Sequence, residues 1–176
     1  KARSIEDIAG CNKLLQCMVA CTTLKGGMGN YIGDPTEIAL RICADERSFN
    51  AEFNRICELP FTSERKMMTV AADFSGEKNN YTKGAPDILI KKCTKILTES
   101  GVRQLTDGDI AQITAKNNEM SDEALRVLGF AYSPFNGKAS EENMIFIGLV
   151  GMVDSLKEGV REAVEECRRA GVATVM

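Results

Sequence analysis

The chain has 176 residues, of which 44% are hydrophobic and 27% charged, and this composition is typical of an ordinary globular protein. Its net charge of -3 argues against a nucleic-acid or membrane-surface module, because such modules carry basic patches. The chain has no histidine, which excludes a Ser-His-Asp triad, a Cys-His pair and a histidine-bearing zinc site. Any chemistry must therefore use carboxylates, lysine, cysteine or a bound cofactor, or take place elsewhere. The sequence contains no run of 18 apolar residues, so it does not predict a transmembrane helix.

Seven cysteines are scattered along the chain, and the CxxC spacing of many zinc and redox sites does not occur. Cys17 and Cys21 are four residues apart and share one face of a predicted helix. A thiolate metal site is one interpretation of this pair. Buried free thiols that pack as small hydrophobic groups are the favoured interpretation. Reduced thiols fit a cytosolic compartment.

The first third of the chain is predicted to be helical. Residues 4–24 carry apolar side chains at helical spacing, with Ser4 as a candidate N-cap, and a glycine-rich loop follows at residues 25–33. A second helix is predicted from residue 35 to about 44. Asp34 occupies its N-cap position, Pro35 its first turn and Glu37 the position of a capping-box carboxylate.

The middle of the chain is predicted to be rich in strands. Strand-like segments occur at residues 57–62, 66–74, 80–83, 94–98, 102–105, 125–132 and 144–153. Residues 75–79, which begin with Ser75 and Gly76, predict a hairpin turn between the second and third of these segments. Short helices are predicted at residues 84–93 and 107–120.

The end of the chain has a different pattern. An apolar strand ends at Asp154, an amphipathic helix covers residues 156–169, and a further apolar segment begins at residue 172. This strand-helix-strand order is typical of a parallel α/β sheet. Because one further strand would be an incomplete element, we expect the chain to be cut from a longer protein.

Three segments could carry chemistry. Lys83 precedes a glycine at a strand-to-helix junction, where free backbone amides favour an anion, although an ordinary junction with a solvated lysine is the simpler interpretation. Phe61 lies five residues before Lys66 and could stack on a base, although packing in the core is the favoured interpretation of this segment alone. Glu37 could accept a hydrogen bond from an exocyclic amine, but capping alone explains it.

Taken together and in order, several segments resemble the nucleotide-binding domain of P-type cation-transporting ATPases, in the type II, calcium-transporting-like branch, with a bacterial source expected. The segments are GDPTEIAL at 33–40, PFTSERKMMTV at 60–70, KGAPD at 83–87 and DEALRVLGFAY at 122–132. Two further segments, GLVGMVD at 148–154 and AGVATVM at 170–176, resemble the crossing into the phosphorylation domain of the same family.

The resemblance implies a pocket for ATP. Phe61 would stack on adenine, and Glu37 would lie at the adenine edge. Lys66 and Lys83 would line the base of the pocket, and Arg126 would reach toward the phosphates. Further pocket residues implied by the resemblance are Thr36 beside Glu37, Gly84 and Ala85 where the backbone approaches the ligand, and Leu128 near the ring.

The sequence departs from the family pattern at two places. Ser63 stands where some members have arginine, so one phosphate contact is expected to be missing. Asp154 is the implied hinge residue, but the residues after it are Ser-Leu-Lys rather than Pro-Pro-Arg. The phosphorylated aspartate of DKTGTLT and the downstream TGD do not occur in this sequence, so we expect no catalytic residue and no metal site here, and ATP binding without turnover.

The expected fold is α+β. An antiparallel sheet of about six strands with flanking helices would form a nucleotide-binding domain at residues 1–153, and residues 154–176 would be a stub of a haloacid-dehalogenase-like phosphorylation domain. In the parent pump, which would hydrolyse Mg-ATP to move cations, this domain would present the γ-phosphate to an aspartate of its neighbour. The expected partners are ATP and the phosphorylation, actuator and transmembrane domains of the same chain, at the cytoplasmic face of a membrane. No nucleic acid, direct membrane contact or oligomer is expected.

Two alternatives belong to other classes. One is a regulatory or scaffolding domain that has this fold but binds no ligand. The other is a complete small hydrolase using paired carboxylates such as Glu141 and Glu142, although these consecutive residues in a polar loop are more simply interpreted as solvated charges.

Overall fold

The computed structural model describes residues 2–4, 11–27, 29–153, 159–173 and 175. Its strands are β1 (Ala2–Ser4), β2 (Asn54–Thr62), β3 (Met67–Phe74), β4 (Glu77–Gly84), β5 (Cys93–Thr98), β6 (Gly101–Gln104), β7 (Arg126–Pro134) and β8 (Met144–Met152). Its helices are α1 (Cys11–Ala20), α2 (Pro35–Glu46), α3 (Pro86–Leu89), α4 (Asp107–Asp122) and α5 (Val160–Arg169), and a short 3-10 helix (Ile90–Lys92) follows α3.

The eight strands form one mixed sheet in the order β2-β3-β4-β7-β8-β5-β6, and β1 pairs with β8. Every pair in this path is antiparallel except β5 with β8, which is parallel. The α+β class is confirmed, but the expectation of an antiparallel sheet of about six strands is wrong, because the sheet has eight strands and one parallel pair. Residue patterns predict individual strands. The parallel direction of β5 and β8 depends instead on the path of the long connection between them, which contains β6, α4 and β7.

Helices cover both faces of the sheet and bury two apolar clusters. Alternate residues of the central strands point to opposite faces, so that Val70 and Tyr81 pack with α1 and α2, whereas Met67 and Ala131 pack near α3 and α4. Strand β3 is buried along almost its entire length because it is covered on both faces. This three-layer arrangement places the end of β2, the end of β4 and the start of β7 beside the start of α2.

The N-terminal helix ends earlier than its pattern predicts. Helix α1 covers Cys11–Ala20, whereas the predicted helix extends to residue 24, and residues 5–10 lie outside the described residues. Ser4 lies in β1 paired with Val150, so Ser4 is not an N-cap. Cys17 on α1 and Cys21 directly after it are fully buried, and their thiols donate to the carbonyl oxygens of Thr82 at 3.4 Å and Tyr81 at 3.1 Å, respectively. Burial raises the pKa of the Cys17 thiol, and these contacts match the buried-thiol interpretation.

The C-terminal helix α5 is observed, but the strand predicted after it is not found in what the structure describes there, residues 172, 173 and 175. The predicted stub is therefore not established. The hinge residue Asp154 lies outside the described residues. Among the helices that the structure describes, none is both long and apolar enough to cross a membrane.

Candidate functional site

A pocket of about 630 Å³ opens where the end of β2, the end of β4, the start of β7 and the first turn of α2 meet. This volume is in the range of small-molecule sites. All of the pocket residues implied by the sequence resemblance line this pocket, although they come from segments that are far apart in the sequence. The lining residues are Asp34, Thr36, Glu37, Phe61, Ser63, Lys66, Lys83, Gly84, Ala85, Arg126, Val127 and Leu128.

An ion pair forms the floor of this pocket. The Lys83 ammonium lies 2.7 Å from Glu37 Oε1, and each side chain is only 10% exposed. The second oxygen, Glu37 Oε2, accepts from the Thr23 backbone amide at 2.7 Å and from the Thr23 hydroxyl at 3.0 Å. Burial alone would raise the pKa of Glu37, but the bonds from Lys83 and Thr23 outweigh it and lower that pKa. The pair is therefore a fixed donor and acceptor held side by side.

The capping prediction for α2 is correct at Asp34 and wrong at Glu37. Asp34 Oδ1 accepts from the backbone amides of Thr36 at 2.8 Å and Glu37 at 3.3 Å, and Pro35 begins the helix. The Glu37 side chain does not close a capping box, because both of its oxygens are bonded to Thr23 and Lys83. Helix α2 therefore places its first-turn carboxylate in the pocket rather than on its own backbone.

Asp34 and Val127 also line the pocket, although the sequence did not single them out as site residues. Burial opposes ionisation of Asp34, but bonds from Thr36 and Glu37 and the positive charge of Arg126 lower its pKa below the ordinary value. The signal for Asp34 was present in the sequence, since an N-cap next to a site residue necessarily lies near the site.

Phe61 is exposed rather than part of the core. Its side chain remains 58% accessible although it lies on a strand, so the core interpretation is wrong. The pairing of β2 with β3 is irregular between Leu59 and Thr62, and such bulges change the direction of side chains. An accessible aromatic ring at a pocket edge is a surface on which a flat ligand can stack.

The turn between β2 and β3 is fixed from two sides. Lys66 adopts a left-handed conformation with φ of 52°, its amide donates to Thr62 at 2.7 Å, and its carbonyl accepts from Ala85 at 3.0 Å. Arg65 donates to the Pro60 carbonyl and pairs with Glu141. The residues on either side of this turn are thus held against the start of α3.

The loop position of Glu141 predicts a solvated charge, but the structure shows that this prediction is wrong. Its side chain is 11% exposed, pairs with Arg65, and accepts from the Thr69 hydroxyl at 3.1 Å. Glu142 is exposed, in agreement with the solvated interpretation. The two carboxylates are therefore in different environments, and Glu141 fastens the loop before β8 to β3.

Gly84 is required by protein packing. A Cβ atom at this position would lie 2.5 Å from Met67 Cγ and 2.8 Å from the Lys66 carbonyl oxygen. The contacts that restrict this residue are therefore made by the turn before β3. The next residue, Ala85, is half-buried in the N-cap position of α3.

Two cationic side chains complete the pocket. Lys66 and Arg126 are exposed, and within the described part of the chain neither forms an ion pair. Leu128, two residues along β7 from Arg126, adds a half-buried apolar surface. The pocket thus combines a flat aromatic ring, a neutralised buried pair and two positive charges near its opening.

Comparison with known proteins identifies the class to which this fold and pocket belong. Residues 10–159 match the family model described as P-type ATPase, cytoplasmic domain N, and the chain belongs to this family. The recognition made from sequence segments is therefore confirmed.

The similar curated proteins are calcium-transporting ATPases. The chain is 40% identical to calcium-transporting ATPase 1 of Bacillus cereus over an alignment of 173 residues. This alignment covers 93% of this chain and 20% of the Bacillus cereus protein. It is 34% identical over 175 residues to calcium-transporting ATPase 1 of Lactococcus lactis, with the same two coverages. It is 35% identical over 162 residues to a calcium-transporting ATPase of Bacillus subtilis, over 84% of this chain and 18% of that protein. The chain spans about one fifth of the length of these relatives.

Proposed function

We propose that this chain binds ATP in the pocket beside Phe61 and, within a longer parent protein, presents the γ-phosphate to an aspartate of a neighbouring phosphorylation domain. The parent would be an ATP-driven pump, with calcium as the favoured ion because the relatives carry that name. The observation that carries the proposal is the convergence of an exposed aromatic ring, a buried donor-acceptor pair and two cations around one pocket.

The residues suit the two halves of ATP. An aromatic platform and an apolar wall accommodate a purine, and base stacking on such a ring stabilises binding by about 1–3 kcal/mol. The ammonium of Lys83 and the carboxylate of Glu37 offer one donor and one acceptor to the edge of the base. Lys66 and Arg126 attract the polyphosphate, while Ser63 adds no charge at its position. We therefore expect weak binding.

In this proposal the chain contributes binding and orientation. Magnesium would arrive with the nucleotide and neutralise phosphate charge, and in the part of the chain that the structure describes no group of three acidic, cysteine or histidine side chains is placed to hold a metal. Residues 1–153 would be the nucleotide-binding domain, with Asp154 at the hinge to residues 154–176. The phosphorylation, actuator and transmembrane domains would belong to the same parent chain, at the cytoplasmic face of its membrane.

Isothermal titration of ATP into the wild-type chain and the Phe61→Ala variant tests this proposal. Loss of stacking worth about 1–3 kcal/mol weakens binding by about 5- to 150-fold. Ile56→Ala is a matched control, since this side chain is 42% exposed on the same strand and does not line the pocket.

The outcomes separate the candidates. A large effect of Phe61→Ala with no effect of Ile56→Ala supports stacking in the pocket. An unchanged dissociation constant for Phe61→Ala contradicts it. Absence of any binding at millimolar ATP contradicts the proposal and favours the ligand-free scaffolding domain.

A further inference from the structure

One residue outside the pocket controls the orientation of the pocket carboxylate. Thr23 lies in the loop after α1, is itself exposed, and does not line the pocket. Its backbone amide and its hydroxyl both donate to the same atom, Glu37 Oε2, at 2.7 and 3.0 Å. Two donors on one oxygen fix the rotation of the carboxylate plane as well as its position.

Hydrogen-bonding capacity then decides what the carboxylate can still bind. An ionised carboxylate has about four lone-pair sites, two on each oxygen. The two Thr23 bonds occupy Oε2, and Lys83 occupies one site on Oε1 at 2.7 Å. The remaining acceptor site is on Oε1, directly beside the Lys83 ammonium.

We propose that Thr23 is a positioning residue that makes the pocket select 6-amino purines over 6-oxo purines. The inference rests on the proposed binding of ATP. The exocyclic amine of adenine donates a hydrogen bond, and the fixed Oε1 of Glu37 accepts it. The 6-oxo group of hypoxanthine is an acceptor, so the same fixed Oε1 faces it with no proton between them.

Freeing Glu37 removes this discrimination. Without the Thr23 hydroxyl, Oε2 keeps one bond instead of two and the carboxylate can rotate away from the base. Lys83, which carries three donors, can then bind a 6-oxo group with less opposition from the carboxylate. Loss of Thr23 should therefore affect the choice between bases more than the affinity for ATP itself.

The test measures the dissociation constants of ATP and ITP on the full 176-residue chain. The two nucleotides differ at position 6, amino against oxo, and at N1, which carries a proton only in hypoxanthine. The wild type should bind ATP at least about tenfold more tightly than ITP, because a site that pairs with a donor rejects an acceptor in its place. Thr23→Val keeps the shape and the backbone amide but removes the hydroxyl. One such bond is worth about 0.5–1.5 kcal/mol, so the ITP-to-ATP ratio should fall by about two- to tenfold.

Two variants are the controls. Thr23→Ser retains a hydroxyl and should keep the wild-type ratio. Thr22→Val removes the neighbouring hydroxyl, which donates to the Val19 carbonyl at 3.0 Å instead of to Glu37, and should also keep it. Backbone amide spectra show whether each variant is folded, and Thr23→Ala replaces Thr23→Val if the latter does not fold.

A fall in the ratio confined to the variants without the Thr23 hydroxyl supports the inference. An unchanged ratio in folded Thr23→Val, or equal wild-type affinity for the two nucleotides, overturns the inference and leaves ATP binding intact. If the wild type binds neither nucleotide, the proposed function itself fails and the inference fails with it.

Discussion

Replacing Lys83 with methionine would leave the Glu37 carboxylate buried without its cation. Both side chains of this pair are 10% exposed, so water compensates poorly for the lost charge. Breaking a buried ion pair by removing one partner costs about 3–5 kcal/mol. The two Thr23 bonds to Glu37 remain, and the carboxylate borders an open pocket, so we expect a loss of about 3 kcal/mol in the free energy of unfolding at pH 7.

The pH dependence of this loss identifies its origin. The pKa of Glu37 is lowered in the folded wild type, so its contribution to stability is present above the ordinary glutamate pKa and is lost as the pH falls through the folded pKa. In Lys83→Met the folded pKa of Glu37 should rise, so protonation relieves the variant as the pH falls. The difference between variant and wild type should therefore shrink between pH 7 and about pH 4.

Urea unfolding followed by circular dichroism measures this difference, since the chain has no tryptophan for a fluorescence signal. Lys116→Met is the matched control. It breaks an exposed pair with Glu119, whose side chains are 42% and 58% exposed, and should cost at most about 0.5 kcal/mol. A loss below about 1 kcal/mol for Lys83→Met at pH 7, or a loss that is the same at both pH values, would refute the reasoning.

Three further predictions concern packing and thiol access. Gly84→Ala should lower the free energy of unfolding by about 1–3 kcal/mol, because a Cβ atom there meets neighbours at 2.5 and 2.8 Å. Gly148→Ala is the control and should not lower it, because a Cβ atom at that position meets nothing within 4 Å. Equal effects of the two variants in urea unfolding would contradict the packing role of Gly84. Glu141→Ala should cost about 1–3 kcal/mol in the same assay, since it removes the carboxylate that accepts from Arg65 and Thr69, and a neutral result would show that this ion pair contributes nothing. Alkylation of the native chain followed by mass spectrometry should modify half-buried Cys57 well before buried Cys17, and the reverse order would contradict the described burial.

Local chemistry explains which parts of the fold the sequence could predict. The start of α2 depends on Asp34 and Pro35, which act within one helical turn. The turn between β3 and β4 contains Ser75 and Gly76, both with positive φ, and this chemistry is also local. Both features were therefore predicted near their observed positions.

Features that depend on distant partners were not predictable in this way. The Glu37 and Lys83 side chains are 46 residues apart in sequence, and Arg65 and Glu141 are 76 apart, so no local pattern indicates either pair. Local reasoning therefore assigned Glu37 to a cap and Glu141 to solvent. Strand β1 was missed for the same reason, since three residues form a strand only because β8 is beside them.

The pocket residues came from the order of several segments instead of from any one of them. Taken alone, the pattern around Phe61 favoured the core, and only the accompanying segments indicated an accessible ring. Phe61 lies near the end of an edge strand, none of whose residues is buried, and its pairing with β3 is irregular there, and both are properties of the assembled sheet.

Backbone amide NMR during an ATP titration tests the central claim most directly. Binding in the pocket predicts shifts concentrated at Glu37, Lys83, Ala85 and the first residues of β7, with no change around Asp73 in the separate groove near the β3–β4 turn. An absence of shifts at millimolar ATP, or shifts that cluster around Asp73 and avoid the pocket, would contradict the claim that this domain binds ATP beside Phe61.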